Sequence, residues 1–380
     1  MQTLLATTFE GLEPILASEI TALGYEVQQT FNRAVSFNGN LAEMYRANYW
    51  LRTALRILMP IDSFRANSER GLYYGIYDYD WSQWLNPDTT FAIETVVKSP
   101  YFSHSHYVAL KAKDAIVDQF RAKTGTRPSI ARERPNLRIR IHIFHDEVRV
   151  LLDSSDEPLN RRGYRIEAGE APLNEILAAG MLHLSGWVEQ AHLPLVDPMC
   201  GSGTIPIEAA MIANGIAPQH TRDWFGCMNW PNFDQNLWEQ RYTAPSNIIL
   251  APTSPAIVAS DIDAYTLSVA KNNADRAGVE NYIDFTCCDF ENTPLPQAPG
   301  FLITNPPYGQ RLGEFDETAP LYERLGSWLK HKATDYNAWV ISSNKIALRK
   351  IGLHPNKKLT LFNGPLECGF WGFELYEGSI

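Results

Sequence analysis

The 380-residue sequence predicts an α/β fold for its second half, a parallel sheet with helices against it, preceded by two smaller α+β units. Three observations predict this. A strand, a glycine turn and a helix follow one another over residues 195–213. Further apolar runs near 256, 283 and 301 each end in an acid or an amide, as strands do when a sheet gathers a site at its carboxyl edge. And a chain of this length exceeds one ordinary core, so two or three domains are expected.

The composition, 45% hydrophobic and 20% charged, is that of a folded chain. The sequence holds no cleavable leader pattern and no membrane-length apolar run, which predicts a cytoplasmic protein with no membrane partner. Its five cysteines lack zinc-site spacing, so they read as reduced thiols and no metal is expected. The net charge of −10 argues against a surface that coats nucleic acid indiscriminately. One region departs from it. Residues 100–165 hold 13 Lys and Arg against 8 Asp and Glu.

In chain order, the first unit reads as a strand (3–8), a helix (12–23), strands at 25–29 and 34–38, a helix (41–58) capped by Asn40, and a strand near 60–65. The aromatic stretch of Tyr73, Tyr74, Tyr77, Tyr79, Trp81 and Trp84 suits either base stacking or, the preferred reading, junction packing. A strand (90–97), a helix (105–124) and further strands follow, with His104 and His106 expected in solvent. Along 137–144, Arg138, Arg140 and His142 alternate with apolar residues, giving one cationic face. With Lys111, Lys113, Arg132 and Arg134 it suits RNA phosphates; the competing reading is a solvated edge.

Arg162 and Arg165 belong to a basic connector, Arg161-Arg162-Gly163-Tyr164-Arg165, before a helix opened by Pro172 and running to about Trp187. Asp197-Pro198-Met199-Cys200-Gly201-Ser202-Gly203-Thr204 then forms the glycine turn, where the backbone can approach a ligand and a helix N-terminus can stabilise negative charge. It lacks the third glycine of a dinucleotide fingerprint and the Gly-Lys-Ser/Thr of a P-loop. An insertion near 215–255 rich in tryptophan and phenylalanine is either a lid or, the preferred reading, an added packed layer. Asp261, followed by Ile262 and Asp263, supplies the carboxylate that can accept ribose hydroxyls. Asp289 can accept from an adenine amine, and Phe290 offers an apolar wall. Asn305-Pro306-Pro307-Tyr308 ends the fourth strand with an amide, a stiffened turn and a ring, suited to a planar base bearing an amine. Arg311 beyond it is assigned evenly to RNA phosphate or to Glu314.

The order of the basic half, including Lys111-Ala112-Lys113-Asp114-Ala115-Ile116-Val117-Asp118, resembles a ferredoxin-like domain leading into a THUMP RNA-binding domain. Asp197 to Thr204, Asp261, Asp289 and Asn305 to Tyr308 resemble the motifs of S-adenosylmethionine-dependent amino-group methyltransferases. Adding Arg162 to Arg165, Ala171-Pro172-Leu173 and Asn363 to Cys368, nearly the whole sequence resembles the bacterial THUMP-containing 23S ribosomal RNA guanine-N2 methyltransferases. The resemblance implies a Rossmann-like class I methyltransferase domain with a seven-stranded sheet over 159–380, a ferredoxin-like domain over 1–65 and a THUMP domain over 66–158. Some relatives continue into a second methyltransferase domain, and this sequence ends where that would begin.

By resemblance, S-adenosylmethionine is the cofactor. Asp197, Pro198, Cys200, Gly201, Ser202, Gly203 and Thr204 surround its methionine part, Asp261 and Ile262 its ribose, Asp289 and Phe290 its adenine. Asn305 and the carbonyl of Pro306 accept from the target amine while Tyr308 stacks on the base. The expected partner is 23S ribosomal RNA or a large-subunit assembly intermediate, contacted through Lys111, Lys113, Arg132, Arg134, Arg138, Arg140, Arg162 and Arg165. The alternatives are a transfer RNA guanine-N2 methyltransferase and a non-catalytic RNA-binding assembly factor.

Overall fold

A computed structural model describes residues 2–165, 173–245, 256–309 and 314–376. The first unit comprises β1 (Gln2–Thr7), α1 (Glu13–Ala22), β2 (Val27–Phe31), β3 (Ala34–Gly39), α2 (Leu41–Trp50) and β4 (Arg56–Arg65). The second comprises α3 (Glu69–Asp78), β5 (Thr90–Lys98), α4 (Ser105–Thr124), β6 (Ser129–Ile130), β7 (Leu137–Phe144) and β8 (Glu147–Asp153). The third runs through α5 (Glu175–Leu184), β9 (Leu195–Asp197), α6 (Thr204–Ala213), α7 (Gln235–Glu239), β10 (Ile257–Asp261), α8 (Ala264–Arg276), β11 (Ile283–Cys287), β12 (Gly300–Thr304), α9 (Glu314–Lys332), β13 (Tyr336–Ser342), α10 (Lys345–Lys350), β14 (Lys357–Asn363) and β15 (Leu366–Glu374).

One eight-stranded sheet, β2-β3-β1-β4-β8-β7-β5-β6, passes through both N-terminal units because β4 pairs with β1 on one edge and β8 on the other. That double pairing explains why α2 stops at Trp50 instead of reaching 58. Residues from Arg56 onward satisfy their backbone groups in the sheet, and tertiary pairing overrides the helical periodicity. Asn40 does cap α2, accepting from the Ala42 and Glu43 amides.

The seven-stranded sheet has the order β11-β10-β9-β12-β13-β15-β14, parallel except where β15 runs antiparallel to β13 and β14. This is the seven-stranded α/β architecture expected, with the ends of β9, β10, β11 and β12 on adjacent strands. Helix α10 was not anticipated; Asn344 caps it through the Ala347 amide. The basic residues there are engaged, Lys345 with Glu367 and Lys350 with Glu323. Helix α5 starts at Glu175 with Asn174 as its cap, while Ala171 and Pro172 lie outside the described residues.

The aromatic segments settle as packing. Trp81 is fully buried, Tyr73 stacks on Tyr77, and the Trp84 indole donates to the Tyr79 hydroxyl at 2.9 Å. From the insertion, Phe225, Trp230 and Trp238 enter the core of the N-terminal half, with Trp238 5.3 Å from Tyr45 between ring centroids. The insertion therefore fastens the halves together as a packed layer. No helix among the described residues is long and apolar enough to cross a membrane.

The cationic face of β7 is not a phosphate surface. Arg140 is buried and pairs with Asp153 of β8 and Glu94 of β5, both at 2.7 Å; Arg138 pairs with the same Glu94 at 2.7 Å and with Asp156 at 2.5 Å. The 226–229 turn covers this network, with the Cys227 amide donating to the Ser154 carbonyl at 3.0 Å. Burial and the Arg140 charge push His142 down to about 4, so it is neutral at physiological pH. A single strand's alternation cannot reveal this, because the compensating acids arrive from neighbouring strands. Of the other predicted RNA contacts, Arg132 and Arg134 are exposed, Lys111 lies 5.9 Å from the Tyr73 ring centroid, and Lys113 pairs with Asp114 at 2.8 Å. His104 and His106 are exposed, as expected.

Candidate active site

The glycine turn is built between two strand ends. After β9, the Cys200 amide donates to the Ser260 carbonyl and the Gly201 amide to Asp261 Oδ2, both at 2.9 Å. Gly201 and Gly203 take positive φ, 54° and 85°, a conformation costly for residues with a Cβ. At Gly203 a Cβ would also lie 3.1 Å from Ala270 of α8, so the turn and that helix pack closely. Asn273 of α8 donates to the Ser202 carbonyl at 3.0 Å.

Arg165 braces the same turn from below. Its guanidinium donates to Ser202 Oγ at 3.1 Å, Thr204 Oγ1 at 2.8 Å, the Leu173 carbonyl at 3.0 Å and Glu175 at 2.7 Å. The predicted RNA contact at this position is thus corrected: four of the fork's five N–H donors are taken and the Glu175 carboxylate offsets its charge. Arg162 is corrected likewise. It is 1% exposed, 3.3 Å from Glu208, and donates to the Leu159 and Arg52 carbonyls. Gly163 between them has φ 100°, and a Cβ would meet Thr221 Oγ1 at 2.9 Å. The connector is a bolt into the catalytic half, and its arginine spacing reflects that. We expect Arg165→Ala to weaken S-adenosylmethionine binding roughly tenfold, measured by calorimetry, with little change in RNA affinity. Arg165→Lys should recover only part, since one ammonium cannot span four acceptors. Unchanged cofactor affinity with weakened RNA binding would restore the discarded role.

The remaining strand ends converge on this turn. Asp197 is 1% exposed, accepts from Thr304 Oγ1 at 2.9 Å and the Met199 amide at 3.3 Å, and burial pushes its carboxyl up to about 7. Asp261 accepts from the Gly201 amide and, through Oδ1, from the Asp263 amide at 3.0 Å. Asp263 itself caps α8. Ile262 is 71% exposed and forms an open apolar surface between β10 and β11. Phe290 does not: it is 4% exposed, edge-on to Trp328, with the Arg324 guanidinium 4.9 Å from its ring centroid. Its expected role as an open apolar wall is corrected to core packing. Asp289 is engaged by Arg324 at 3.0 Å, which, with the Glu291 amide, holds its carboxyl below the ordinary value despite partial burial.

Asn305 follows β12 one residue after Thr304. Tyr308 is 8% exposed and its hydroxyl donates to Asn305 Oδ1, so its ring is folded inward instead of lying open for stacking. Burial, reinforced by neighbouring Cys368, holds the phenol far above its usual pKa, so it remains a donor. Three further residues support the loop: Tyr322 and Asn344, which the sequence reading does not name, and Cys368, which it names only as the end of the Asn363 to Cys368 stretch. Tyr322 donates to the Pro307 carbonyl at 3.3 Å, Asn344 to the Tyr308 carbonyl at 3.3 Å, and Cys368 Sγ lies 4.0 Å from the Tyr308 hydroxyl. Only Asn344 carried a local signal, as a cap ahead of a short helix. Arg311 lies outside the described residues.

This arrangement fits a cofactor with a cationic centre and a planar ring. The glycine turn offers close backbone approach, Asp197 is a buried carboxyl held by two neutral donors, Thr304 and the Met199 amide, and Ile262 offers open apolar area. Among the described residues, no cluster of three or more His, Cys, Asp or Glu could hold a metal ion.

Comparison with known proteins agrees with this geometry. Residues 162–370 match a family described as RMKL-like, methyltransferase domain; residues 3–58 match the RlmL ferredoxin-like domain and 66–153 the THUMP domain. A Synechocystis protein provisionally named an RNA methyltransferase is 37% identical over 371 residues, covering 98% of this chain and 96% of that one. The ribosomal RNA large subunit methyltransferase K/L of Methylococcus capsulatus is 38% identical over 374 residues, 97% of this chain but 51% of that protein, so the chain spans about half the length of such relatives. A crystal structure described as a possible methylase from Clostridium difficile 630 superposes with a TM-score of 0.87 at 31% identity, covering 100% of this chain and 99% of that one. Another methyltransferase structure, SMU.472 complexed with SAH, gives 0.84 at 29% identity, covering 100% and 99%. In sequence, domain order and fold, the chain belongs to the RMKL-like methyltransferase family, with ferredoxin-like and THUMP domains ahead of its catalytic domain.

Proposed function

We infer that the protein methylates the exocyclic N2 amine of a guanine in 23S ribosomal RNA, with S-adenosylmethionine as methyl donor. The observation carrying the reading is Asn305, held at the end of β12 by a buried tyrosine and joined through Thr304 and Asp197 to the glycine turn. An amide acceptor beside a cofactor cradle is what an aromatic amine requires. THUMP membership supports RNA as the substrate, and the names of the K/L relatives support the large-subunit RNA.

The guanine N2 lone pair is delocalised into its ring, so the site must orient the amine and strengthen its nucleophilicity. Asn305 Oδ1 has two acceptor directions; Tyr308 takes one, which fixes the amide and leaves the other for an N–H of the substrate. The Pro306 carbonyl is the second acceptor. The cofactor supplies an electrophilic methyl on a sulfonium. Asn305 and the Pro306 carbonyl, in this reading, hold the amine for direct transfer of that methyl, the amine proton would pass to water, and no covalent enzyme intermediate is needed. In this reading Gly201, Ser202 and Gly203 hold the methionine part and Asp261 the ribose, with Asp197 the counter-charge. A base within paired RNA would first be unstacked into the site.

The deciding experiment is nucleoside mass spectrometry of ribosomal and transfer RNA from a deletion strain. Loss of N2-methylguanosine from large-subunit RNA is the expected result. Unchanged ribosomal RNA with selective loss from transfer RNA would move the substrate. No loss in either, together with no cofactor binding by calorimetry, would leave a non-catalytic assembly factor.

A further inference from the structure

Between the THUMP domain and the catalytic domain lies an open cleft of about 700 Å³ that the catalytic chemistry does not use. Four separate parts of the chain contribute to it. Arg134 comes from the loop before β7, Arg161 from the connector, Trp224 from the insertion, and Gly364 from the turn between β14 and β15. Five arginines and three acids line it, in a protein whose net charge is −10. Arg162, Arg165 and Arg222 serve structure, Arg222 donating to the carbonyls of Ser155, Glu157 and Trp224. Arg134 and Arg161 do not have that duty. Arg134 is exposed, and the Arg161 side chain is 68% exposed with only a surface contact to Glu157 at 3.6 Å.

Trp224 is half-buried, and the Arg134 guanidinium lies 5.4 Å from its ring centroid. The ring thus already faces a flat cationic group from the other domain. A nucleobase makes the same kind of contact, and stacking on tryptophan beside arginine is how unpaired RNA is held. The cleft also abuts the reacting centre. Its floor is Arg165, bonded to Ser202 and Thr204, and its wall is the β14–β15 turn, after which Cys368 reaches the Tyr308 hydroxyl.

We propose that this cleft binds the unpaired nucleotides flanking the target guanine, one base stacked on Trp224 and the adjoining phosphates at Arg134 and Arg161. The inference rests on the RNA methyltransferase reading and adds where the substrate strand runs. Its volume lies in the range of ordinary small-ligand sites, about 300–1,000 Å³, which suits a nucleotide or two and not a duplex read by shape over about 16 base pairs. A strand seated there is drawn taut between the THUMP domain and the site, which supplies the unstacking that a buried Tyr308 does not.

The test uses the full chain with large-subunit RNA transcribed in vitro and with oligoribonucleotides carrying 5-iodouracil beside the methylated guanine. Trp224→Ala should raise the RNA KM about tenfold with the effect falling on KM and not kcat, and Trp224→Phe should stay close to wild type because it keeps both stacking and packing. Arg161→Glu should raise KM as well, more at low salt than at high. Irradiation should attach the iodouracil strand to Trp224, and oligonucleotides trimmed of the flanking bases should bind wild type and Trp224→Ala equally. An RNA KM for Trp224→Ala equal to wild type, or crosslinks that map elsewhere, would overturn the proposal. Crosslinking reads binding alone, so it decides the cleft even if the methylated atom is not N2. Methyl incorporation at another atom would instead fail the N2 reading and leave the crosslink intact.

Discussion

Asn305→Ala is expected to lower the single-turnover methyl-transfer rate on the order of 10³-fold or more while leaving S-adenosylmethionine affinity within about twofold. The amide oxygen is the side-chain acceptor placed directly at the end of β12, and it is held there by the Tyr308 hydroxyl. Truncation removes the group that orients the amine and polarises its N–H bond. It also leaves the buried Tyr308 hydroxyl without that partner, so a modest loss of stability should accompany the loss of rate. The cofactor cradle is spared because it depends on Asp261, Asn273 and Arg165, none of which bonds Asn305. Comparing single-turnover rates with calorimetric Kd separates the two effects. An Asn305→Ala enzyme that transfers methyl at the wild-type rate would remove the amide from the chemistry and with it the assignment of β12 as the target-amine strand.

What was legible in the sequence follows from what is local. The glycine turn, the acids at the ends of β10 and β11 and the Asn305 loop are short strings whose meaning comes from a strand's end, so their order predicts that four strand ends gather at one edge, while the seven-stranded sheet follows from the family resemblance. Basic residues were misread because charge is a property of neighbourhoods. Arg138 and Arg140 look like a phosphate face along β7 until Glu94 and Asp153 arrive from the flanking strands. Arg162 and Arg165 look like a linker's free cations until Glu208, 46 residues on from the first, and Glu175, 10 residues on from the second, enclose them. Tyr308 shows the same limit. Its place after Asn305 suggests a stacking ring, yet its hydroxyl turns back onto Asn305 with Cys368 beside it, while Asn344 holds its backbone carbonyl. Motifs report which elements meet at the site, and the long-range partners decide what each side chain does there.

The connector gives the sharpest case, because its reassignment predicts a stability effect and not a binding one. Arg162 and Glu208 are both without solvent exposure in their side chains, and the carboxylate's other neighbours are the Tyr164 hydroxyl at 3.3 Å and Arg52 at 3.9 Å. Arg162→Met should therefore destabilise the fold by about 3–5 kcal/mol, since it strands a buried carboxylate, and lower Tm on the order of 10 °C. Pairing it with Glu208→Gln should recover only part of that loss, because it removes the stranded carboxylate but takes the Glu208 charge away from the buried Arg52 guanidinium. Arg162 also holds the Leu159 and Arg52 carbonyls, so the loss of those bonds also keeps the double variant below wild type. An RNA-contacting arginine behaves oppositely. Its loss leaves thermal stability unchanged, lowers RNA affinity, and reduces the salt dependence of binding by about one counterion. Thermal melts and RNA titrations at two salt concentrations thus separate the two roles, and wild-type melting with weakened, less salt-dependent binding would return Arg162 to the RNA surface.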